Sequence, residues 1–270
     1  MAKDEYLHGY EDEEQRRLIR QADYWRERLL PIGVELGAGE CLLELGCGVG
    51  AVLGVLAQRF PEAKFIGVDI ESRQLESARQ HMSAIGRPDV EFIESDASSL
   101  PLADDSVDQI FIIWLIEHLE QPIPVLKEAL RVLKPGGVIH VTETDYSTFQ
   151  VVPRNESFNY LKQAQFDYYD RFGNARVGPQ LGNLLAQAGF QDVDSRPVGF
   201  HAFTGGTPGQ LRAFTDYIAD FLVAAIPTLA SALELEEARL REGADHLLSL
   251  ADRDDGALSQ IVYRARAFKR

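Results

Sequence analysis

ELGCGVG, residues Glu44–Gly50, closes a short apolar run and places glycines at 46, 48 and 50. Glycine weakens regular structure, so such spacing is useful where the backbone turns sharply or lets a ligand come close. Between a strand and a helix, these residues present bare backbone at the positive end of the helix. With Ala51 they also complete a G-x-G-x-x-A pattern, which leaves a nicotinamide dinucleotide open as the ligand.

Working outward, short apolar runs alternate with helix-period segments, the pattern of a parallel sheet covered by helices. Strands are expected near 41–45, 64–69, 90–94, 108–113 and 137–143. Helices fall on AVLGVLAQRF, on SRQLESARQHMSAIG with a stop at Gly86, and on PIPVLKEALRVLKPGG ending at Pro135. The stretches ESFNYLKQAQFDYYDRF, GPQLGNLLAQAGF and Thr207 to Asp252 are helical in period, and LSQIVYRARAFKR alternates like a last strand. Helical insertions, with an N-terminal helix EEQRRLIRQADYWRERLL, are expected over the carboxyl edge of the sheet, where ligands bind in open α/β folds.

Composition narrows the setting. A chain of 270 residues with 45% hydrophobic content buries a full core, and a formal net charge of −15 repels nucleic acid and anionic membranes. Two cysteines, Cys41 and Cys47, suggest no disulfide framework or metal site. The charged N-terminus lacks an apolar signal region, and the longest apolar run, FLVAAIPTLASAL, is interrupted by Pro227. A soluble, cytoplasmic protein is expected.

Further positions decide what the loop approaches. Asp69, in GVDI, closes the second strand about 20 residues past the glycines, where a carboxylate can accept from two ribose hydroxyls or cap the next helix. Asp96, in ESDA, is suited to an exocyclic amino group or to an Asx-turn. The combination LELGCGVG, GVDI, ESDA, the run Asp108 to Leu119 and LKPGG resembles the class I S-adenosylmethionine-dependent methyltransferases, strongly over residues 40–143. EYLHGY with Gln21 and Ala22 is similar to a bacterial and archaeal small-molecule subgroup related to enzymes acting on quinones and natural products.

The resemblance implies one α/β domain over 1–270, a Rossmann-like seven-stranded sheet with the last strand antiparallel. It places a helical cap at 1–33 and lid insertions at 150–176 and 207–252. S-adenosyl-L-methionine is the implied cofactor and S-adenosyl-L-homocysteine the product. Gly46, Cys47, Gly48 and Gly50 would line the methionyl part, Asp69 the ribose, and Asp96 with Ala97 the adenine, with Ile70 against its face. Gln74, Trp114, Gln21 and Tyr10 complete the expected contacts; Tyr6 and His8 would help close over the cofactor, and Arg20 or Gln21 would meet its carboxylate.

A sulfonium methyl is already electrophilic, so an in-line acceptor and a base within reach suffice. WLIEHLE supplies His118 as first candidate base and Glu117 beside it, with Tyr10 as a further catalytic candidate; His118 also reads as a residue orienting the next helix. Glu143 and Asp145 share a strand face and, with Tyr146, Tyr168, Tyr169 and Phe172, are candidates for binding an aromatic or heteroaromatic acceptor of secondary metabolism. The acceptor atom, nitrogen, oxygen or carbon, stays open. Rival readings are a protein methyltransferase, a nicotinamide oxidoreductase and a non-catalytic S-adenosylmethionine-binding module. The partner expected is a small molecule, without nucleic acid or membrane, and a homodimer is compatible with the sequence.

Overall fold

A computed structural model describes residues 7–9 and 11–270. In chain order the elements are α1 (Asp12–Trp25), β1 (Cys41–Leu45), α2 (Ala51–Arg59), β2 (Lys64–Asp69), α3 (Ser72–Ala84), β3 (Glu91–Glu94), β4 (Val107–Ile113) and α4 (Pro122–Val132). There follow β5 (Leu133–Val152), α5 (Glu156–Phe172), α6 (Leu181–Ala188), β6 (Gln191–Phe203), α7 (Gln210–Ala232), α8 (Glu237–Ser249) and β7 (Ala257–Phe268). The seven strands form one sheet ordered β3-β2-β1-β4-β5-β7-β6, in which β7 alone runs antiparallel to its neighbours. This is the expected architecture.

Apolar runs such as Leu42, Leu43 and Leu45 are fully buried because helices cover both faces of the central strands. One core lies under α1, α2 and α3, around Trp25, Leu53 and Phe111. A second joins α4 and α6 to the other face, around Ile110, Leu126 and Leu185. A third stands beyond the carboxyl edge, where α5, α7 and α8 pack on one another and on the far end of β5. That third core is what the helical insertions build.

Three elements differ from the sequence reading. The fifth strand is 20 residues long instead of ending near 143, because β7 pairs with it past the sheet edge, with a register shift between Asp145 and Gln150. The fourth helix stops at Val132, and LKPGG already belongs to the strand. Strand β6 was not anticipated; an edge position tolerates its Pro197 and polar residues, which erase the apolar alternation. Helix α7 also runs straight through Pro227. Its burial against α1, α5 and α8 outweighs one lost backbone bond. By length and composition α7 could cross a membrane, but Phe214, Ile218, Leu222 and Leu229 are spent on the third core.

Close approach of α5 and α8 depends on Gly243, where an added Cβ would meet the Ser157 carbonyl oxygen at 2.5 Å and Leu161 Cβ at 2.9 Å. Gly243→Ala should therefore lower stability by about 1–3 kcal/mol despite better helix propensity. Gly199→Ala on the edge strand, where nothing lies within 4 Å of the added carbon, is the neutral comparison. Urea unfolding midpoints check both; equal midpoints would refute the packing argument.

Candidate active site

The loop after β1 is held open by its own conformations: φ is +70° at Gly46, +51° at Gly48 and +68° at Gly50. A Cβ at Gly46 would also meet Leu115 Cδ1 at 2.8 Å, so a larger residue there has neither the dihedral nor the room. Asp69 at the end of β2 ties this loop down, accepting from Gly48 N–H at 2.8 Å and Glu71 N–H at 3.0 Å. It is not the cap of α3, since Glu71 accepts from Arg73 N–H. Asp96 does close an Asx-turn, accepting from Ser98 N–H and Oγ, both at 2.7 Å. Those bonds hold its carboxyl below the usual range.

These loops border a cavity of about 230 Å³ at the carboxyl ends of β1, β2 and β4. Folded interiors rarely leave voids beyond a water molecule, so this space is ligand-sized. Of the residues proposed from sequence for the cofactor, Gly46, Cys47, Gly48, Asp69, Ile70, Gln74, Asp96, Ala97, Trp114 and Gln21 line it. Ile70 is 46% exposed at its rim, where an apolar side chain has value only against a flat partner. Glu44 Oε2 and Gln74 Oε1, both buried, have no hydrogen-bond partner among the described residues and border the same space. Unsatisfied acceptors beside an exposed apolar face and glycine backbone fit an adenosyl group carrying an ammonium. Burial raises the Glu44 carboxyl well above its ordinary value; an ammonium beside it would reverse this.

Cys47 is buried, and burial together with the Asp69 and Glu44 carboxylates pushes its thiol well up, which removes any nucleophilic character. Trp114 holds a positive φ of 52° at the cavity wall while its indole N–H donates to Thr144 Oγ1 at 3.1 Å. A bulky residue in that conformation is strained and is kept there by its surroundings.

The cavity continues into a chamber under the third core, walled by His8, Phe149, Tyr169, Tyr217 and Phe221. Tyr146 stacks on Tyr169 with centroids 4.6 Å apart. In the short 3-10 turn Ile116–His118, His118 faces this chamber and its Nε2 is 3.6 Å from Glu117 Oε1. Burial lowers the His118 pKa to about 4, so the imidazole is neutral at pH 7. Glu117 is raised to about 7 by burial, against the hydrogen bond it receives from Tyr146 OH at 2.7 Å.

Several expected site residues stand elsewhere. Strand alternation turns Thr144 and Tyr146 toward the cavity, so Glu143 and Asp145 face away from it. Glu143 is fully buried and accepts from Leu115 and Ile116 N–H, while Asp145 accepts from Ser147 N–H and Oγ. Tyr168 and Phe172 pack in the third core, and Gly50 abuts Ala78, Met82 and Phe92. Tyr6 and Tyr10 lie outside the described residues. Arg20 pairs with Asp220 and Glu13 outside the cavity; Arg17, one turn earlier, borders it and is held by Glu14 and Gln21. Sequence reasoning missed Arg17, Thr144, Phe149, Tyr217, Phe221 and Gln260 as lining residues. Only the aromatic content of α7 hinted at any of them.

The sequence profile described as "Methyltransferase domain" matches residues 43–141. A demethylmenaquinone methyltransferase of Renibacterium salmoninarum is 32% identical over 210 residues, covering 73% of this chain and 83% of that protein. A demethylmenaquinone methyltransferase of Lactococcus lactis is 32% identical over 171 residues, 63% of this chain and 62% of its own length. The chain thus spans less than two thirds of that relative, and 44% of a Streptomyces fradiae protein that it also matches. Among solved structures, a Haemonchus contortus phosphoethanolamine N-methyltransferase 2, with phosphomonomethylethanolamine and S-adenosylhomocysteine, superimposes with a TM-score of 0.58 at 17% identity. It covers 90% of this chain and 52% of that one, a likeness of fold.

Proposed function

The chain belongs to the class I S-adenosylmethionine-dependent methyltransferases, and from that premise we propose that it transfers a methyl group to a small aromatic or heteroaromatic metabolite. The observation that carries this reading is the continuity of one cavity, from Asp69, Ile70 and Asp96 at one end to Tyr146, Phe149 and Tyr217 at the other. S-adenosylmethionine would supply the electrophilic methyl group, held by Gly46, Gly48, Asp69, Ile70, Gln74, Asp96 and Ala97. The demethylmenaquinone methyltransferases among its relatives are named for a quinone substrate, which agrees with an aromatic chamber.

The residues of the chain orient the acceptor and manage its proton. Aromatic walls exclude water, and Thr144 and Gln260 offer polar contacts on the β5–β7 side. His118, neutral and facing the chamber, is placed to take a proton from the acceptor as methyl transfer proceeds. The helical insertions, α5 with α7 and α8, act as the lid over the acceptor, and α1 as the cap. A chamber walled by Phe149, Tyr169, Tyr217 and Phe221 favours a small aromatic molecule over a protein side chain.

Calorimetric titration with S-adenosylmethionine, S-adenosylhomocysteine and NAD tests the cofactor: the first two should bind and NAD should not. Labelled S-adenosylmethionine incubated with metabolite extracts, followed by mass analysis, identifies the acceptor. His118→Ala should then lower turnover about 100-fold or more with cofactor affinity nearly intact. Equal rates in that variant would make the histidine structural.

A further inference from the structure

Near its start β7 buries alternate residues, Leu258, Gln260 and Val262, and the middle one is an amide. Leu258 belongs to the third core and Val262 to the core under α1, so Gln260 stands at the seam between them. It is 3% exposed and borders the cavity, and among the described residues none hydrogen-bonds to its side chain. An amide buried without partners costs stability, so an apolar residue would serve folding better at this position.

Backbone pairing explains why the seam opens there. Ile261 pairs with Asp145 and Ser259 with Gln150, so four residues of β5, 146–149, stand opposite Gln260 alone. A bulge of this kind breaks the ladder locally and redirects the side chains around it. Tyr146 and Phe149 of the bulge border the cavity together with Gln260. Thr144, whose partner on β7 is Val262, lies on the same face of the sheet, diagonally across from Gln260 at about 7–8 Å by sheet geometry. Its hydroxyl oxygen accepts from the Trp114 indole N–H at 3.1 Å, which leaves its own proton to donate. We propose that Gln260 selects the acceptor: its amide, with the Thr144 hydroxyl, binds an uncharged ring oxygen, carbonyl or hydroxyl, on the aromatic molecule that receives the methyl group.

The chemistry of this floor sets the preference. An amide donates through nitrogen and accepts through oxygen, so it satisfies a carbonyl and a hydroxyl equally well. Strands β5 and β7 bring Thr144, Tyr146, Phe149 and Gln260 to the cavity, and none of these carries a charge at neutral pH. The charged groups border the cavity from other elements: Glu44, Asp69 and Asp96 from the strand ends, Arg17 from α1, where Glu14 and Gln21 hold it, and Glu117 from the turn after β4. A carboxylate or ammonium turned toward Gln260 would lose water and gain no counter-charge from the floor. A ring without oxygen leaves the amide buried and unpaired, which is the penalty that separates otherwise similar ligands.

This inference rests on the methyltransferase reading and specifies what its acceptor carries. Calorimetric titration of the full chain, saturated with S-adenosylhomocysteine, compares four probes built on one ring system: 1-naphthol, naphthalene, 1-naphthoate and 1-naphthylmethylammonium. 1-Naphthol should bind about tenfold or more tighter than naphthalene, and both charged probes should bind more weakly than 1-naphthol. Gln260→Leu should erase the preference for 1-naphthol over naphthalene at unchanged affinity for S-adenosylhomocysteine. Without ligand the same variant should melt about 2–4 °C above the wild type, because it removes an unpaired amide from an apolar position. Gln260→Met, unbranched like the native side chain, should behave in the same way, and Gln260→Asn should retain part of the preference. A preference that survives in Gln260→Leu and Gln260→Met overturns the inference while cofactor binding stands, and so does a charged probe that outbinds 1-naphthol. Absence of 1-naphthol binding to protein that holds S-adenosylhomocysteine overturns it equally. Failure of both S-adenosylmethionine and S-adenosylhomocysteine to bind overturns the functional reading itself.

Discussion

Trp25→Ala should cost about 3–5 kcal/mol of folding stability, the range for a large aromatic removed from a core that cannot collapse around the gap. Trp25 is fully buried at the last turn of α1, edge-on to Phe200 of β6 at 4.6 Å and to Tyr217 of α7 at 5.3 Å, with Trp114 at 6.3 Å. It is therefore the point where the N-terminal helix, the edge strand, α7 and the cavity wall are joined. Thermal unfolding should fall by roughly 6–20 °C for a domain of this size. Cofactor affinity should fall as well, since Arg17, Leu18, Gln21 and Ala22 of the same helix border the cavity. Trp25→Phe, which keeps most of the apolar volume, should recover the greater part of both. A Trp25→Ala protein with wild-type melting and binding would remove α1 from the architecture of the site.

The second large effect concerns Asp69. Its carboxylate fixes the glycine loop through Gly48 N–H and the next turn through Glu71 N–H, and it borders the cavity where a ribose would lie. Loss of hydrogen bonds to a charged group is worth about 1.5–3 kcal/mol. Asp69→Ala should thus weaken S-adenosylmethionine binding by about one to two orders of magnitude, read by calorimetry. Because desolvation raises this carboxyl in the free protein, with the loop N–H groups opposing, bound hydroxyls would add the missing donors. Unchanged affinity would remove the ribose assignment. A drop in affinity with unchanged loop stability, seen as an unshifted melting temperature without ligand, separates direct contact from loop collapse.

Much of the fold and the cofactor half of the site was readable from local pattern. Strands β1, β2 and β4 are short apolar runs because both their faces are covered, and the residues that follow the parallel strands β1 to β4, Gly46, Asp69, Asp96 and Trp114, must then lie along one edge of the sheet. Parallel order makes that convergence a consequence of counting strands. The acceptor half was much less readable. Alternation told that Glu143 and Asp145 share a face, but alternation has no sign, and only tertiary packing, which stacks Tyr146 on Tyr169 of α5 and Phe221 of α7, turned Thr144 and Tyr146 inward instead. Likewise Arg17 and Arg20 are one helical turn apart in the same basic segment; the ion pair of Arg20 with Asp220, 200 residues away, decides which of them borders the cavity.

The sequence by itself determined the doubly covered sheet, the glycine turn and the carboxylates at strand ends, since each depends on periodicity and backbone freedom within a few residues. Tertiary structure alone decided the length of β5, the existence of β6 and the burial of Glu117 and Glu143. Those depend on pairing and burial between distant segments, and a carboxyl's charge is set by what surrounds it, not by its place in the chain.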